Sequence, residues 1–462
     1  MIVMKFGGTS NQDAAAMQNV SRIVAAHRAQ KPVIVISAIA KGTNMLEQAG
    51  RLASEGRLEE SHATLKKLFA RHYAILEENV TDPGVTEVVR NFLDDSLRAL
   101  EELTRGVAIL RELTPRTLDA FYVFGELMSS RLVWGTMRAV GLDAVWLDTK
   151  DFMITNGAFN AAVPFMDIVR TKLSALVNPG IDRGTVYVTQ GFIGVTERGE
   201  RTTMGREASD YSAAVIGAAL DASDVQIWTD VDGILTGDPT IIAAPKKVRM
   251  MSFQEAYDVS FFGAKVLHSA TMLPAIEKNI PIHIFNSRRP HLSGSLVAAA
   301  TVGSRPVIKS VTYLKNIAVL RILPRHRMGQ YMFWENVFNV LNRNGASARL
   351  TATSEYGLSI ALDEKYNLSA IARDLADLGT VESEAGQAIV AIVGSRIAEV
   401  GSLLGSVFRS TAGAPIGMIS FGASNASLSF VVPDGKVIDL VQNLHTEFFG
   451  TVNDPETFED LG

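Results

Sequence analysis

Short apolar segments alternate with longer segments of helical periodicity through residue 286. Continuous apolar runs are typical of strands that are covered on both faces, as in parallel sheets. Because helical patterns separate these runs, we predict an α/β domain in which helices sandwich a mostly parallel sheet. The predicted strands are Met1–Phe6, Pro32–Ser37, Ala144–Leu147, Val186–Gly191, Val225–Gly233 and Pro281–Asn286, with helices over most of residues 44–138 and from Ala213 to Leu220.

The composition changes at Arg288–Arg305, which is rich in Arg, Pro, His, Ser and Gly and which we interpret as a linker. Beyond it, one pattern occurs twice: a strand, a helix, two short strands and a helix. The copies run from Ile317 to Leu378 and from Ala388 to Phe448. They fit either two α+β modules or a chance result of a β-rich composition. We predict two modules, with a first domain at 1–295, a linker at 296–312 and modules at 313–385 and 386–462.

The bulk composition narrows the class of protein. A chain of 462 residues is expected to form two or three domains, and its net charge of −5 gives no reason to expect nucleic acid as a partner. The absence of cysteine excludes disulfides, thiolate metal sites and a cysteine nucleophile. Because no leader pattern or membrane-length apolar run is present, we expect a cytoplasmic protein that does not contact a membrane.

The first strand leads into a candidate anion site. Gly7 and Gly8 follow the apolar run directly, and Lys5 supplies a positive charge beside them. Backbone N–H groups of such a loop approach a phosphate closely when no Cβ intervenes. Ser10 and Asp13 have the spacing of a capping box, which predicts a helix start at Ser10. No Walker A pattern is present, and the segment by itself also fits an ordinary tight turn.

Three further groups of polar residues interrupt apolar surroundings. Glu126 lies in an apolar helix, where it is either a paired buried carboxylate or a residue of the helix surface. Arg206 and Asp210 flank a predicted helix start, as ligands or as a surface ion pair. Asp230 and Asp232 end a predicted strand, which is where open α/β sheets bind ligands.

The order of these motifs resembles that of the aspartate kinases, over nearly the whole chain. The motifs are Lys5–Ser10, Gly125–Leu127, Gly205–Tyr211, Thr229–Gly233 and Gly263–His268. The C-terminal modules look like the tandem ACT domains of that family, and Val259–Lys265 looks most like the kinase half of the bifunctional aspartokinase–homoserine dehydrogenases. Because the given chain ends at Gly462, we expect no dehydrogenase half. The resemblance implies an amino acid kinase fold at 1–295 that is followed by two ACT modules.

The resemblance also implies roles for individual residues. Lys5 and Asp210 would be catalytic, with Asp210 organising the phosphate loop. Glu126 would pair with the α-ammonium group of aspartate, and Arg206 would bind its α-carboxylate. The implied phosphate-binding residues are Lys5, Gly7, Gly8, Thr9, Ser10 and Lys265; the substrate-binding residues are Ser37, Thr43, Glu126, Arg206 and Ser209; the ATP-binding residues are Thr229, Asp230, Gly233, Asp238 and Lys265; and the effector-binding residues are Met332, Ser347, Ala348 and Arg349.

Several positions depart from the pattern of the family. Glu207 and Ala208 replace a glycine pair, Leu235 and Thr240 replace a tyrosine and an arginine, and Ser269 replaces a proline. The missing arginine predicts weaker ATP binding. In the first module, Tyr331–Phe333 replaces a small-residue turn, and Arg349 replaces an aspartate that holds an inhibitor's amino group. A cation repels an ammonium group, so we expect no ordinary inhibition by lysine.

The implied reaction is ATP-dependent phosphorylation of the β-carboxylate of L-aspartate to 4-phospho-L-aspartate, which begins lysine, threonine and methionine biosynthesis. An acceptor carboxylate with a pKa near ~3.9 needs no general base, so positioning and charge neutralisation by lysines, N–H groups and Mg²⁺ suffice. ATP and Mg²⁺ are the expected cofactors, and no protein metal site is expected. The alternatives are a kinase for another carboxylate and a catalytically weak amino acid sensor. We expect a homodimer or a larger homo-oligomer, with an amino acid effector at the ACT modules.

Overall fold

The protein is described by a computed structural model, which covers residues 1–205, 208–264, 272–299, 307–325, 329–411 and 413–461. Within these ranges, no helix is long and apolar enough to cross a membrane. The chain forms two compact units. The first contains Met1–Ile234 and His268–Ala299, and the second contains Leu235–Leu267 and Ala300–Gly462.

The helices and strands alternate through most of the chain. The helices are α1 (Ala14–Ala26), α2 (Gly42–Ser54), α3 (Leu58–Asn79), α4 (Pro83–Leu110), α5 (Pro115–Ala139), α6 (Met166–Ile181), α7 (Ala208–Ala219), α8 (Phe253–Phe261), α9 (Leu273–Glu277), α10 (Gln330–Arg343), α11 (Leu368–Leu375), α12 (Leu403–Ser410) and α13 (Val437–Phe449). The strands are β1 (Ile2–Phe6), β2 (Pro32–Ile36), β3 (Ala144–Trp146), β4 (Ile154–Thr155), β5 (Val186–Gln190), β6 (Ile193–Thr196), β7 (Arg201–Thr203), β8 (Asp224–Thr229), β9 (Lys246–Val248), β10 (Met250–Ser252), β11 (Ile282–Asn286), β12 (Ser295–Ala298), β13 (Val307–Pro324), β14 (Ala348–Ser354), β15 (Gly357–Asp363), β16 (Gly379–Ser395), β17 (Met418–Phe421), β18 (Ser427–Pro433) and β19 (Phe458–Asp460).

The main sheet of the first unit has the strand order β12-β11-β8-β1-β2-β5-β3. Strand β1 lies at its centre and pairs in parallel with β2 and β8. All five residues of β1 and of β2 are buried or nearly so, as their continuous apolar sequences predict. The prediction of a mostly parallel sheet that is sandwiched by helices is confirmed.

Two details of the first unit differ from the sequence analysis, namely the start of α1 and the extent of the linker. Helix α1 is capped by Asp13, whose side chain accepts a hydrogen bond from Ala16 N, and it does not start at Ser10. The segment that we interpreted as a linker contains β12, which pairs antiparallel with β11.

The second unit is built around one sheet of order β14-β15-β13-β16-β18-β17. Both copies of the predicted repeat contribute to it, as expected for two α+β modules. The segment of residues 235–267, which we placed in the first domain, clusters with this unit. The domain boundaries therefore stay a prediction.

The modules share their two longest strands. Strand β13 pairs antiparallel with β16 along almost its whole length. Residues 307–314 of β13 pair with 389–395 of β16, next to the second module's β18, and residues 319–324 pair with 379–384, on the side of the first module. The second module thus completes its sheet with residues 307–314, which come from the chain before it, whereas residues 379–384 pair with residues that lie within the predicted bounds of the first module.

Candidate active site

A cavity of about 580 Å³ opens in the first unit where β1 and β2 end. Its walls come from the loops after these strands, from α2 and α5, and from the start of α7. Parallel strands that end together at one edge commonly leave such a crevice. The predicted residues that line it are Gly8, Ser37, Thr43, Glu126 and Ser209.

Lys5 and Asp210 form an ion pair beside this cavity. Lys5 is the fourth residue of β1, and its Nζ lies 2.7 Å from Asp210 Oδ1. The two groups form an ion pair, but their geometry is not that of an aligned hydrogen bond. Asp210 lies in the first turn of α7, where the helix dipole favours a negative charge. Both side chains are largely buried, so solvent screens their attraction only weakly.

Two glycines allow the elements around the cavity to approach one another. A Cβ on Gly8 would lie 2.9 Å from the carbonyl oxygen of Ala38, and a Cβ on Gly191 would lie 2.7 Å from the Cβ of Ser209. Any larger residue at either position would push apart the loops that follow β1 and β2, or move the start of α7 away from the end of β5.

The structure corrects two expectations for the loop after β1. The N–H group of Gly7 donates to the carbonyl oxygen of Trp228, so it is directed into the sheet. The Ser10 hydroxyl also donates to Trp228 O and lies 2.7 Å from the hydroxyl of Ser287. Thr9 and Ser10 belong to a short 3-10 helix, Gly8–Asn11. Gly7 and Ser10 thus hold the loop against β8, and Gly8 faces the cavity.

Glu126 is a buried carboxylate at the cavity wall. Its side chain is 4 % exposed, and its Oε2 has no hydrogen-bond partner among the described residues. Burial raises the pKa of Glu126 to about 8, and the N–H groups of Ala38 and Glu126 and the charge of Lys5 oppose that rise only in part. The interpretation of Glu126 as a residue of the helix surface is therefore wrong. A buried acid of this kind is suited to receive a cation.

The strand β8 ends in the residues predicted to bind the nucleotide. The Thr229 hydroxyl lies 3.3 Å from the Asp230 carboxylate, which is exposed. Asp232 is instead buried, and it accepts a hydrogen bond from Asn286 and contacts Arg289. Of these two carboxylates, only Asp230 is accessible to a ligand. Asp232 instead joins the loop after β8 to the end of β11 through its contacts with Asn286 and Arg289.

Gly233 follows as a buried residue of the first unit. The other predicted nucleotide residue, Asp238, belongs to the second unit. Its carboxylate accepts hydrogen bonds from the backbone and the hydroxyl of Thr240 and from the Tyr313 hydroxyl. Leu235 is half-buried and Thr240 is exposed. The structure thus gives Asp238 three donors within its own unit.

Four residues to which the sequence analysis gave a role or a departure from the family pattern lie outside the described residues. They are Arg206, Glu207, Lys265 and Ser269. The roles of Arg206 and Lys265 therefore stay predictions. Ala208, which follows the first gap, begins α7 and lines the cavity.

The sequence analysis missed Tyr122, Asn160 and Phe192, which also line the cavity. Tyr122 lies one helical turn before Glu126 on α5, so its spacing was a usable signal. Asn160 and Phe192 have left-handed backbones, with φ of 63° and 65°. No sequence pattern indicated them, because they lie in loops that only the fold brings to this wall.

The predicted effector residues lie at two places in the first module. Met332 is exposed on the first turn of α10, so Tyr331–Phe333 belongs to a helix and not to the turn before it. Ser347 is exposed just before β14, which begins at Ala348. The Arg349 guanidinium donates two hydrogen bonds to Asp363 and lies 5.0 Å from the ring centre of Phe261.

Comparisons with known proteins agree with this geometry. The amino acid kinase family model matches residues 1–286, and an ACT domain model matches residues 390–448. The chain is similar to the lysine-sensitive aspartokinase 3 of Escherichia coli, with 33% identity over 97% of this chain and 99% of that protein. A bifunctional aspartokinase/homoserine dehydrogenase of Haemophilus influenzae is 28% identical over 97% of this chain and 56% of its own length. Over the whole chain, the bifunctional relative is therefore less similar than the monofunctional one.

Solved structures show the same fold. Aspartokinase III of Escherichia coli in complex with aspartate and ADP, in its R-state, has a TM-score of 0.86 at 32% identity and covers 97% of this chain and 100% of its own. The complex of the same enzyme with lysine and aspartate, in its T-state, has a TM-score of 0.79 at 33% identity and covers 97% and 99%.

Proposed function

From the premise that this chain belongs to the aspartokinases of the amino acid kinase family, we propose how its own residues perform the reaction. The enzyme transfers the γ-phosphoryl group of ATP to the β-carboxylate of L-aspartate and forms 4-phospho-L-aspartate, a reaction of amino acid biosynthesis. One observation carries the assignment of roles. The buried Glu126 carboxylate has an unpartnered oxygen at a cavity that the Lys5–Asp210 ion pair adjoins.

Glu126 binds the α-ammonium group of aspartate. The ammonium group replaces the solvent that burial removed from the carboxylate, and it restores the charged form of an acid whose pKa burial raises. Ser37, Thr43 and Ser209 line the same cavity and supply hydroxyl groups to the rest of the amino acid. The assignment of the α-carboxylate to Arg206 comes from the family pattern alone.

Lys5 neutralises the phosphoryl group during transfer. The acceptor carboxylate is already ionised at neutral pH, so the chain has no proton to remove. Catalysis then depends on orientation and on stabilising the charge of a loose transition state. Asp210 holds the Lys5 ammonium group at the rim of the cavity by their ion pair, which limits the positions that this cation samples.

ATP brings Mg²⁺ to the site. Magnesium in kinases is held mainly by phosphates, water and one or two carboxylates. Among the described residues, no group of three or more metal-ligating side chains occurs, whereas the exposed Asp230 offers a single carboxylate at the end of β8. We assign Thr229, Asp230 and Gly233 to the nucleotide, with Asp238 and Lys265 kept from the family pattern. The cation neutralises phosphate charge when bound.

The test measures product directly. Purified protein with Mg²⁺ and ATP is assayed with and without L-aspartate, and hydroxylamine traps the acyl phosphate as a hydroxamate. We expect aspartate-dependent hydroxamate, and a fall in turnover of about 10²–10³-fold for Lys5→Ala. Lys31→Ala is the matched control, since Lys31 pairs with Asp182 at the surface. The absence of turnover with aspartate, together with clear amino acid binding by calorimetry, would refute the proposal and favour an amino acid sensor.

We also propose a homo-oligomer that forms through the second module. Strand β17 is an edge of its sheet, and its Ile419 and Phe421 side chains are about two-fifths exposed. Phe408 on α12 is more than half exposed. An unpaired edge strand with exposed apolar residues is a typical site of association. Light scattering of the protein and of Phe421→Lys tests this: the variant should have a lower mass, and an unchanged mass would contradict it.

A further inference from the structure

Asp119 is a buried carboxylate that the roles assigned above do not use. Its exposure is 0 %, and no cation of the described residues lies within ion-pair distance of it. Three protein donors satisfy it. Oδ2 accepts the N–H groups of Thr203 (2.8 Å) and Asn160 (3.0 Å), and Oδ1 accepts the Thr203 hydroxyl (2.6 Å). Burial raises the pKa of Asp119, and these hydrogen bonds oppose that rise.

The donors that Asp119 holds belong to the cavity wall. Asn160 and Thr203 both line the cavity, whereas Asp119 does not. Asn160 has a left-handed backbone with φ of 63°, and such a conformation persists only where its surroundings fix it. The carbonyl oxygen of Thr203, the last residue of β7, accepts the N–H of Ala162. The Asp119 carboxylate and the end of β7 therefore hold the loop around Asn160 together.

Asp119 also lies on the helix that carries the proposed ammonium ligand. It precedes Glu126 by seven residues on α5, which is two helical turns, and both side chains are therefore on one face. Tyr122, between them on the same face, lines the cavity as well. Asp119 thus connects the helix of Glu126 to β7 and to the loop around Asn160.

We propose that Asp119 is a positioning residue for the amino acid acceptor, which fixes the wall of Asn160 and Thr203 relative to Glu126. This inference rests on the proposed function. Asp119 acts through its three hydrogen bonds and not through its charge. An asparagine can keep them, because its oxygen accepts both N–H groups and its amide donates to the Thr203 hydroxyl. Alanine removes both acceptor oxygens and leaves three buried donors without this partner.

The test compares Asp119→Ala and Asp119→Asn with wild type in the hydroxamate assay. We expect Asp119→Ala to raise the aspartate KM at least tenfold with a smaller effect on kcat and none on the ATP KM, and Asp119→Asn to stay within about threefold of wild type. Asp148→Ala is the matched control, a buried carboxylate of the same unit that binds Lys150 N and Arg201. It should lower thermal stability without changing the aspartate KM.

Two results overturn the inference. One is a folded Asp119→Ala enzyme with an unchanged aspartate KM, and the other is an Asp119→Asn enzyme as impaired as Asp119→Ala. If Asp119→Ala does not fold, Asp119→Ser takes its place in the same comparison.

Hydrogen exchange separates this inference from the proposed function. Peptides that cover residues 158–162 and 201–205 should exchange faster in Asp119→Ala than in wild type, at any level of activity. A wild-type protein without aspartate-dependent product would refute the proposed function alone, whereas equal exchange in these peptides would refute the positioning role.

Discussion

Two buried glutamates, one in each unit, differ in how their charge is balanced. Glu126 has one oxygen without a hydrogen-bond partner among the described residues, and burial raises its pKa to about 8. Glu255, at the start of α8, is 1 % exposed. Its two oxygens accept from the Lys309 ammonium group at 2.8 Å, from Ser252 N and from the Ser395 hydroxyl.

This difference in hydrogen bonding indicates that Glu126 is a ligand-binding carboxyl group, whereas Glu255 is a structural one. A carboxylate without enough partners is costly in the free protein, and a cationic ligand removes that cost. A carboxylate whose partners are all supplied by the chain contributes to one arrangement of the backbone. Glu255 connects α8 to both β13 and β16, so it holds together the shared strands of the second unit.

The largest effect should follow from Glu255→Gln. Lys309 is 3 % exposed, and the loss of its partner leaves a buried cation. We expect the free energy of unfolding to fall by about 3–5 kcal/mol, as measured by urea denaturation. The double variant Glu255→Gln with Lys309→Met should recover most of this loss. A single variant as stable as wild type would contradict the comparison.

Glu126→Gln should show the opposite pattern. It replaces an incompletely paired acid that is mostly protonated at pH 7, so the unfolding free energy should stay nearly the same at that pH. The kcat/KM for aspartate should fall by about 10²-fold, or about 2.7 kcal/mol, because the ammonium group loses its counter-charge. The ATP KM serves as the internal control. An equal loss of stability and activity would show that Glu126 is structural, as Glu255 is.

The raised pKa of Glu126 predicts proton release on binding. At pH 7 a carboxyl with a pKa of about 8 is mostly protonated in the free protein, and an ammonium ligand requires the charged form. Aspartate should therefore release nearly one proton from the wild type and none from Glu126→Gln. Calorimetry in buffers of different ionisation enthalpy measures this number. Proton uptake or an absence of exchange in the wild type would exclude the proposed pairing.

The same pKa sets a pH dependence of stability. The folded-state pKa lies above the ordinary value of 4.5, so the folded protein binds more protons than the unfolded chain between pH 4.5 and about 8. The contribution of Glu126 is fully present below pH 4.5 and is lost as the pH rises through about 8. Glu126→Gln should reduce the slope of the unfolding free energy against pH between pH 4.5 and about 8. An unchanged slope would place the titration on another group.

A smaller effect is expected when a cation is introduced at Thr240, because residues 235–240 contain no lysine or arginine. Thr240 is exposed, and its backbone N–H and hydroxyl donate to Asp238. Thr240→Arg should lower the ATP KM about tenfold, since a charge-assisted contact to phosphate contributes roughly 1.5–3 kcal/mol. Thr240→Ala is the control for the lost hydroxyl. The prediction fails if the arginine leaves the ATP KM unchanged.

The smallest effect concerns lysine. Arg349 and Lys365 both pair with Asp363, so two cations share one carboxylate and leave an excess of positive charge. That excess repels the ammonium groups of lysine. We expect millimolar lysine to leave the aspartate kinase activity unchanged. Half-maximal inhibition at submillimolar lysine would show that the modules of this chain bind it despite Arg349.

Much of the fold could be predicted from the spacing of the apolar residues along the sequence. Continuous runs marked β1 and β2, and the repeat marked both modules, because these signals are local. The start of α1 was misplaced because the Ser10 hydroxyl bonds to Trp228 O, far along the chain, which no local pattern reveals. Asn160 escaped notice for the same reason, whereas Asp119, Tyr122 and Glu126 share one face of α5 and were open to prediction.

The sharing of β13 and β16 has a consequence for the order in which the chain is made. Residues 307–314 leave the ribosome well before 389–395, with which they pair. At about 5–20 residues per second, the early half of β13 waits for several seconds as an apolar strand without its partner. Val311 and its neighbours are buried only afterwards. Synthesis of this region therefore includes an interval in which a strand that the finished protein buries is exposed to association with other chains.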